Sequence, residues 1–152
     1  MGAKERWKAP GLVPSLAYRD VPRAAEWLSR AFGFRERSEA RLSWPGGYLT
    51  WMELDDVLVS LSTEGGHELQ SPQRVAGLSV GLKVYVADVD EHFQQAKTAG
   101  ALIVSEPEDG FGGGRIYRAK DLEGHLWEFS QRGRDLDASE WSLPPGLKRG
   151  RE

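Results

Sequence analysis

The chain has 152 residues, enough for one ordinary domain or two very small ones, and a compact fold of that length buries roughly 68–70% of its unfolded surface without any covalent staple. It contains no cysteine, which excludes disulfide frameworks, thiolate metal sites and cysteine nucleophiles. Its 20 basic and 23 acidic residues give a net charge of -3, so the basic excess of a nucleic-acid binder is missing.

No apolar run approaches the ~18 residues of a membrane span, and the opening Met1-Gly-Ala-Lys-Glu-Arg6 lacks the apolar core of a signal peptide. A soluble cytoplasmic protein that engages neither membrane nor nucleic acid is expected.

The elements follow in chain order after an N-terminal arm (1–11). Leu12, Pro14, Leu16 and Tyr18 alternate with Val13, Ser15, Ala17 and Arg19, the period of a strand. Asp20 then supplies a helix N-cap, and Pro22 is tolerated in the first turn. Val21, Ala24, Ala25, Leu28, Ala31 and Phe32 recur at helical spacing, and Gly33 is a stop. Three more strands are predicted at about 34–42, 47–54 and 57–63, with turns at Pro45-Gly46-Gly47 and Asp55-Asp56. A polar linker (64–77) follows.

The second half repeats the plan. A strand with apolar Leu82, Val84 and Val86 leads into a helix opened by Asp88-Val-Asp-Glu91, whose stripe is Val89, Phe93, Ala96 and Ala99 and whose stop is Gly100. Strands are predicted at about 101–105, 115–120 and 125–130. Asp20 and Asp88, Val21 and Val89, Leu58 and Leu126, and Ser62 and Ser130 all stand 68 positions apart. The organisation is therefore βαβββ twice, in modules at 12–63 and 78–130 of one domain, an α+β fold. The tail (131–152) includes the proline-broken Trp141-Ser-Leu-Pro-Pro-Gly-Leu147 and a short basic end, Lys148-Arg-Gly-Arg151; it is either disordered or docked on another surface.

The paired modules, the Tyr18-Arg-Asp-Val21 turn, Ala99-Gly-Ala101 and the hairpin Asp121-Leu-Glu-Gly-His-Leu-Trp-Glu-Phe129 together resemble the vicinal oxygen chelate superfamily, and most closely its glyoxalase/bleomycin-resistance/dioxygenase grouping. The resemblance covers about 12–130. It implies two half-barrel modules side by side with a cleft between them, helices outside, and a homodimer. It also implies a divalent metal held by two histidines and a glutamate. Glu128 matches one such position, but its counterpart in the first module is Ser60, and the first-strand positions fall at or next to Val13 and Gly81. Those three carry no imidazole or carboxylate donor, so the ligand set is incomplete and no metal or other cofactor is expected. His67, His92 and His125 fall in the linker, the second helix and a hairpin, where turn and surface roles are the expected ones.

If Glu128 faces the cleft, strand parity turns Leu126 and Ser130 the same way, and Trp127 and Phe129 toward the helix. Parity adds Ser15, Ser60, Lys83 and Tyr85 to the inward face. Arg118 from the middle strands of the second module, and Trp44 and Trp51 from those of the first, complete the candidate ligand-binding set. Glu128 is the candidate acid/base, or else the partner of Lys83 in a structural ion pair. Glu53, Asp55, Asp56 and Glu128 near such rings favour a cationic guest. Two functions stay open. One is metal-free binding of a small organic ligand, antibiotic sequestration being an instance. The other is a lyase, isomerase or dioxygenase of the superfamily that uses Glu128 as acid/base or metal ligand.

Overall fold

The structure, a computed structural model, describes residues 8–150. Most of the N-terminal arm and Arg151 of the basic end lie outside the described residues. The chain divides into two compact units, one running to Gly77 together with Leu122–Gly124, the other comprising Leu78–Asp121 and the chain from His125 onward. Each holds one sheet and one α-helix, so the fold is α+β.

In the first unit β1 (Ser15–Tyr18) leads into α1 (Val21–Phe32). The Asp20 side chain accepts from Arg23 N, and Gly33 closes the helix at φ 77°, a left-handed position that favours glycine. The predicted apolar stripe is buried, and Trp27 joins it, edge-on to Phe32. The strand expected at 34–42 is broken: β2 spans only Arg35–Glu36, a short 3-10 turn occupies Ser38–Ala40, and β3 covers Leu42–Trp44. Glu36 gives the reason, since its carboxylate accepts from Arg41 Nε and Nη2 at 2.7 and 2.8 Å and from Thr50 Oγ1 at 2.7 Å, closing the chain into a turn. β4 (Gly47–Leu54) and β5 (Val57–Thr63) match their predicted spans. The sheet order is β1-β5-β4-β2, with β3 also on β4 and β1 parallel to β5.

In the second unit β6 (Gly81–Tyr85) runs parallel to β9 (Leu126–Gln131), and β8 (Arg115–Lys120) and β7 (Leu102–Asp109) complete the order β6-β9-β8-β7. β7 outruns the expected 101–105 and passes through Pro107, which an edge strand with register shifts tolerates. α2 (Val89–Thr98), capped by Asp88, lays Val89, Phe93 and Ala96 on the sheet. Trp127, Phe129 and Tyr117 are fully buried on that face. His92 is not the surface residue expected: its ring lies 4.1 Å from Phe129 and its Nδ1 is 2.5 Å from Tyr117 Oη. Burial pushes the Tyr117 phenol well above its ordinary value.

The described part of the tail, to Gly150, packs on the second unit. Trp141 meets Phe111 edge-on at 5.4 Å, and Ser142 N donates to Phe111 O at 3.2 Å. At two glycines backbone presses on backbone: a Cβ on Gly114 would lie 2.5 Å from Gln131 O, and one on Gly133 would lie 1.5 Å from Gly113 O.

Candidate functional site

Register assembles the second unit's open face strand by strand. Lys83 in β6 stands opposite Glu128 in β9, and Arg118 in β8 stands opposite Glu128 from the other side. The three make one charged row, with Lys83 Nζ 3.2 Å from Glu128 Oε2 and Arg118 Nη2 2.6 Å from Glu128 Oε1. Two residues along each strand lies the row Tyr85, Ser130, Ile116. Parity turns both rows away from α2, because Val84, Phe129 and Tyr117 occupy the alternate, buried positions.

A cavity of about 460 Å³ opens over these rows. Its floor is Lys83, Glu128, Arg118, Tyr85, Ser130 and Ile116; Phe111 and the glycine loop form one wall, and Arg132, Arg134, Leu136 and Trp141 of the tail form another. Arg132 lies over the Tyr85 ring, 4.2 Å from its centroid. The charged row also lines a smaller hollow of about 190 Å³ beside Gly81 and Leu126. Ser130 is 3% exposed, and among the described residues its Oγ has no hydrogen-bond partner. Buried hydroxyls are nearly always paired, and an unpaired one costs about 1–3 kcal/mol.

The first unit carries the same layout with different chemistry. Ser15 and Ser60 are opposite one another, Oγ to Oγ 2.9 Å, and Trp51 faces Ser60 from β4. Trp44, on β3, pairs with Gly47 of β4, is half exposed and belongs to neither row. Ser15, Ser60 and Trp51 therefore gather in one unit, and Lys83, Arg118, Glu128 and Tyr85 in the other. Thr50 and Met52, on the alternate parity of β4, are fully buried.

Two of the four acids expected to favour a cationic guest are engaged by cations. Glu53 is bound by Arg35 and by Arg37 Nη1, the latter at 2.7 Å, and Glu128 is held between two cations. A larger hollow of about 650 Å³ in the first unit sits at the start of α1, lined by Arg19, Glu64, Arg74 and Glu123 among others. Its carboxylates are taken up internally. Glu123 is buried and accepts from Arg19 N at 2.7 Å, Asp20 N at 3.1 Å and Ser71 Oγ at 2.6 Å, while Glu64 binds Arg74 and accepts from Ser71 N. That hollow is built for structure, whereas the cavity over Ser130 has an unused polar group.

The family model for the glyoxalase/bleomycin resistance protein/dioxygenase superfamily matches residues 12–129. The chain belongs to that superfamily. It is similar to TioX from Micromonospora sp. ML1, whose crystal structure superposes with a TM-score of 0.64 at 36% identity over 84% of this chain and 100% of that one. The uncharacterized protein Rv0887c of Mycobacterium tuberculosis is 30% identical over 138 residues, 86% of this chain and 79% of its own length. Glyoxalase I from Zea mays shares the fold, with a TM-score of 0.64 at 20% identity over 79% of this chain and 43% of that one.

Members of the superfamily that carry a divalent metal need several imidazole or carboxylate donors converging on one point. Here Glu128 converges with an ammonium and a guanidinium, and the equivalent place in the first unit holds two hydroxyls. Among the described residues no group of three His, Cys, Asp or Glu side chains is placed to hold a metal ion. This donor set does not fit such a metal. Also among the described residues, no helix is long and apolar enough to cross a membrane.

The motif that carries the family resemblance works through hydrogen bonds. Asp121 Oδ1 accepts from His125 N and Oδ2 from Trp127 Nε1, both at 3.0 Å, while Gly124 takes φ 99° in the turn. This turn fixes where β9 starts, and so the register that puts Glu128 beside Lys83. The unpaired state of the Ser130 hydroxyl and the tail's part in the cavity escaped sequence reasoning. The aromatic pair Phe111 and Trp141, flanking two glycine-bearing segments, was the available signal.

Proposed function

We propose that the protein binds a small organic molecule in the cavity over Ser130, without a divalent metal at Glu128. The observation that carries this is Ser130, which lines the cavity though almost wholly buried and whose Oγ has no hydrogen-bond partner among the described residues. A folded chain tolerates such a cost at a place where function uses the group. Glu128 has both oxygens engaged, so its part is to hold Lys83 and Arg118 in place rather than to act as acid or base. Membership of a superfamily that includes bleomycin resistance proteins supports a small-molecule site on this fold. Sequestration of an antibiotic is one form such binding takes. A homodimer is the accompanying assembly, supported by the exposed Leu42, Trp44 and Tyr48 on neighbouring strands.

The test is an NMR screen of aromatic and heteroaromatic fragments against the protein and its Ser130→Ala variant. Because the hydroxyl is unpaired in the fold, Ser130→Ala should hold or raise thermal stability while weakening fragment binding about tenfold, near 1.4 kcal/mol. A variant that loses stability and keeps its affinity would contradict the proposal.

A further inference from the structure

The cavity's walls say more about the guest than its floor does. Four cationic side chains, Lys83, Arg118, Arg132 and Arg134, line it against two carboxylates, Glu128 and Asp135. One of those carboxylates, Glu128, is already spanned by Lys83 and Arg118. Half of the surplus positive charge lies in the Lys83–Arg118–Glu128 row and half comes from Arg132 and Arg134 against Asp135, the two arginines being exposed tail residues beyond the family-matched span that ends at 129. Three aromatic rings face the same space although each is substantially open to solvent: Tyr85 at 45%, Phe111 at 45% and Trp141 at 38% exposure. Exposed rings beside a buried hydroxyl and guanidinium groups offer stacking surface, one neutral hydrogen-bonding group and a counter-charge.

We propose that the tail completes the binding site and that the site takes a flat aromatic molecule carrying an anionic group such as a carboxylate. This rests on the reading that the cavity over Ser130 is the ligand site. The ring system lies against Phe111, Trp141 and Tyr85, a polar ring atom meets Ser130 Oγ, and the anionic group faces Arg132 and Arg134.

The tail is held firmly enough to serve as a wall. Gly133 has room only for hydrogen against Gly113 O, and Leu136 reaches the same glycine, where a Cβ would stand 2.9 Å from Leu136 Cδ1. Asp137 and Glu140 form a reciprocal capping box. Arg149 Nη2 donates to Ser139 O at 2.7 Å and to Trp141 O at 3.1 Å, tying the segment around Trp141 to the chain that follows it. The tail thus presents its two arginines and its indole from a fixed backbone. A fixed backbone of this kind is what selectivity for ligand charge requires, because ordering a mobile segment on binding would cancel much of the gain.

The experiment is calorimetric titration of the full chain with three probes of one shape: 2-naphthoate, its methyl ester and 2-naphthylmethylammonium. The naphthoate should bind about tenfold or more tighter than the ester, and the ammonium weakest, as one charge-assisted contact in a half-open site predicts. The double variant Arg132→Ala/Arg134→Ala should bring naphthoate down to the ester's affinity and leave the ester unchanged. Trp141→Ala should weaken all three. Arg30→Ala, on the exposed face of α1, is the control for a general charge effect. Equal affinity for the three probes, or preference for the ammonium, overturns the charge assignment. If Tyr85→Ala and Ser130→Ala weaken binding while the tail variants do nothing, the tail proposal falls and the cavity reading stands. If none of the probes binds at millimolar concentration, or if binding ignores Tyr85 and Ser130 as well, both fall.

Discussion

Ser60 and Glu128 are structural counterparts: Ser60 stands opposite Ser15 across the parallel β1–β5 pair, and Glu128 stands opposite Lys83 across β6–β9. One backbone plan thus presents a hydroxyl pair in the first unit and an ion pair in the second. The second row is extended by Arg118, so its single carboxylate serves two cations.

Glu128→Gln should expose that arrangement. The carboxylate is 18% exposed, while Lys83 and Arg118 are half and one-third exposed, so solvent screens much of the loss. A destabilisation of about 1 kcal/mol is expected, read as a lower urea midpoint at unchanged slope. If the naphthoate site is as assigned, the same variant should bind that anion more tightly, because a negative charge has left the floor of its cavity.

Asp121→Ala should cost more, because it removes a buried acceptor shared by the Trp127 indole and His125 N. A loss of about 2–3 kcal/mol is expected, lowering the melting temperature by roughly 5–10 °C for a chain of this size. The near-ultraviolet circular dichroism of Trp127 should weaken in proportion. A surface-like change within ±0.5 kcal/mol would contradict the anchoring role.

Acid stability should depend on Glu36. Its hydrogen bonds with Arg41 lower its carboxyl pKa below the ordinary 4.5 against the opposing effect of burial, with Thr50 and the Arg41 charge adding to the lowering. A pKa lower in the folded state means stability that is fully present above about pH 4.5 and lost as the pH falls through the folded value. Glu36→Gln should therefore flatten the acid limb of the stability profile in that window and leave its shape above pH 6 unchanged.

Much of this was legible in the sequence. Asp20, Gly33 and Asp88 marked helix ends because capping and left-handed geometry are local properties. The period-two patterns placed β4, β5 and β8, and they placed Lys83, Tyr85 and Glu128 on one face, because parity needs only neighbours in sequence. What failed needed partners far apart. The Glu36–Arg41–Thr50 knot that breaks the strand at 34–42 is a tertiary arrangement, and so is the packing of His92 on Phe129 and Tyr117. The tail was unreadable because its anchor is close backbone contact at Gly113 and Gly133, which leaves only glycines in the sequence. The pairing of two of the acids was not legible either, since nothing local showed that Arg37 would reach Glu53 or Arg118 reach Glu128.

Metal content gives an independent check. Protein purified without chelators or a histidine tag should carry far less than one zinc, nickel, iron or manganese per chain by elemental analysis, since a divalent ion at Glu128 would have to displace both of its cationic partners. Stoichiometric metal that disappears in Glu128→Ala would sink the metal-free reading.

The most direct measurement is a crystal structure of the protein soaked with the tightest-binding aromatic fragment. The account predicts density over β6, β9 and β8, with a polar atom within hydrogen-bond distance of Ser130 Oγ and rings against Phe111 or Trp141. Density on the α2 face, or in the hollow at the start of α1 with the cavity over Ser130 left empty, would contradict it.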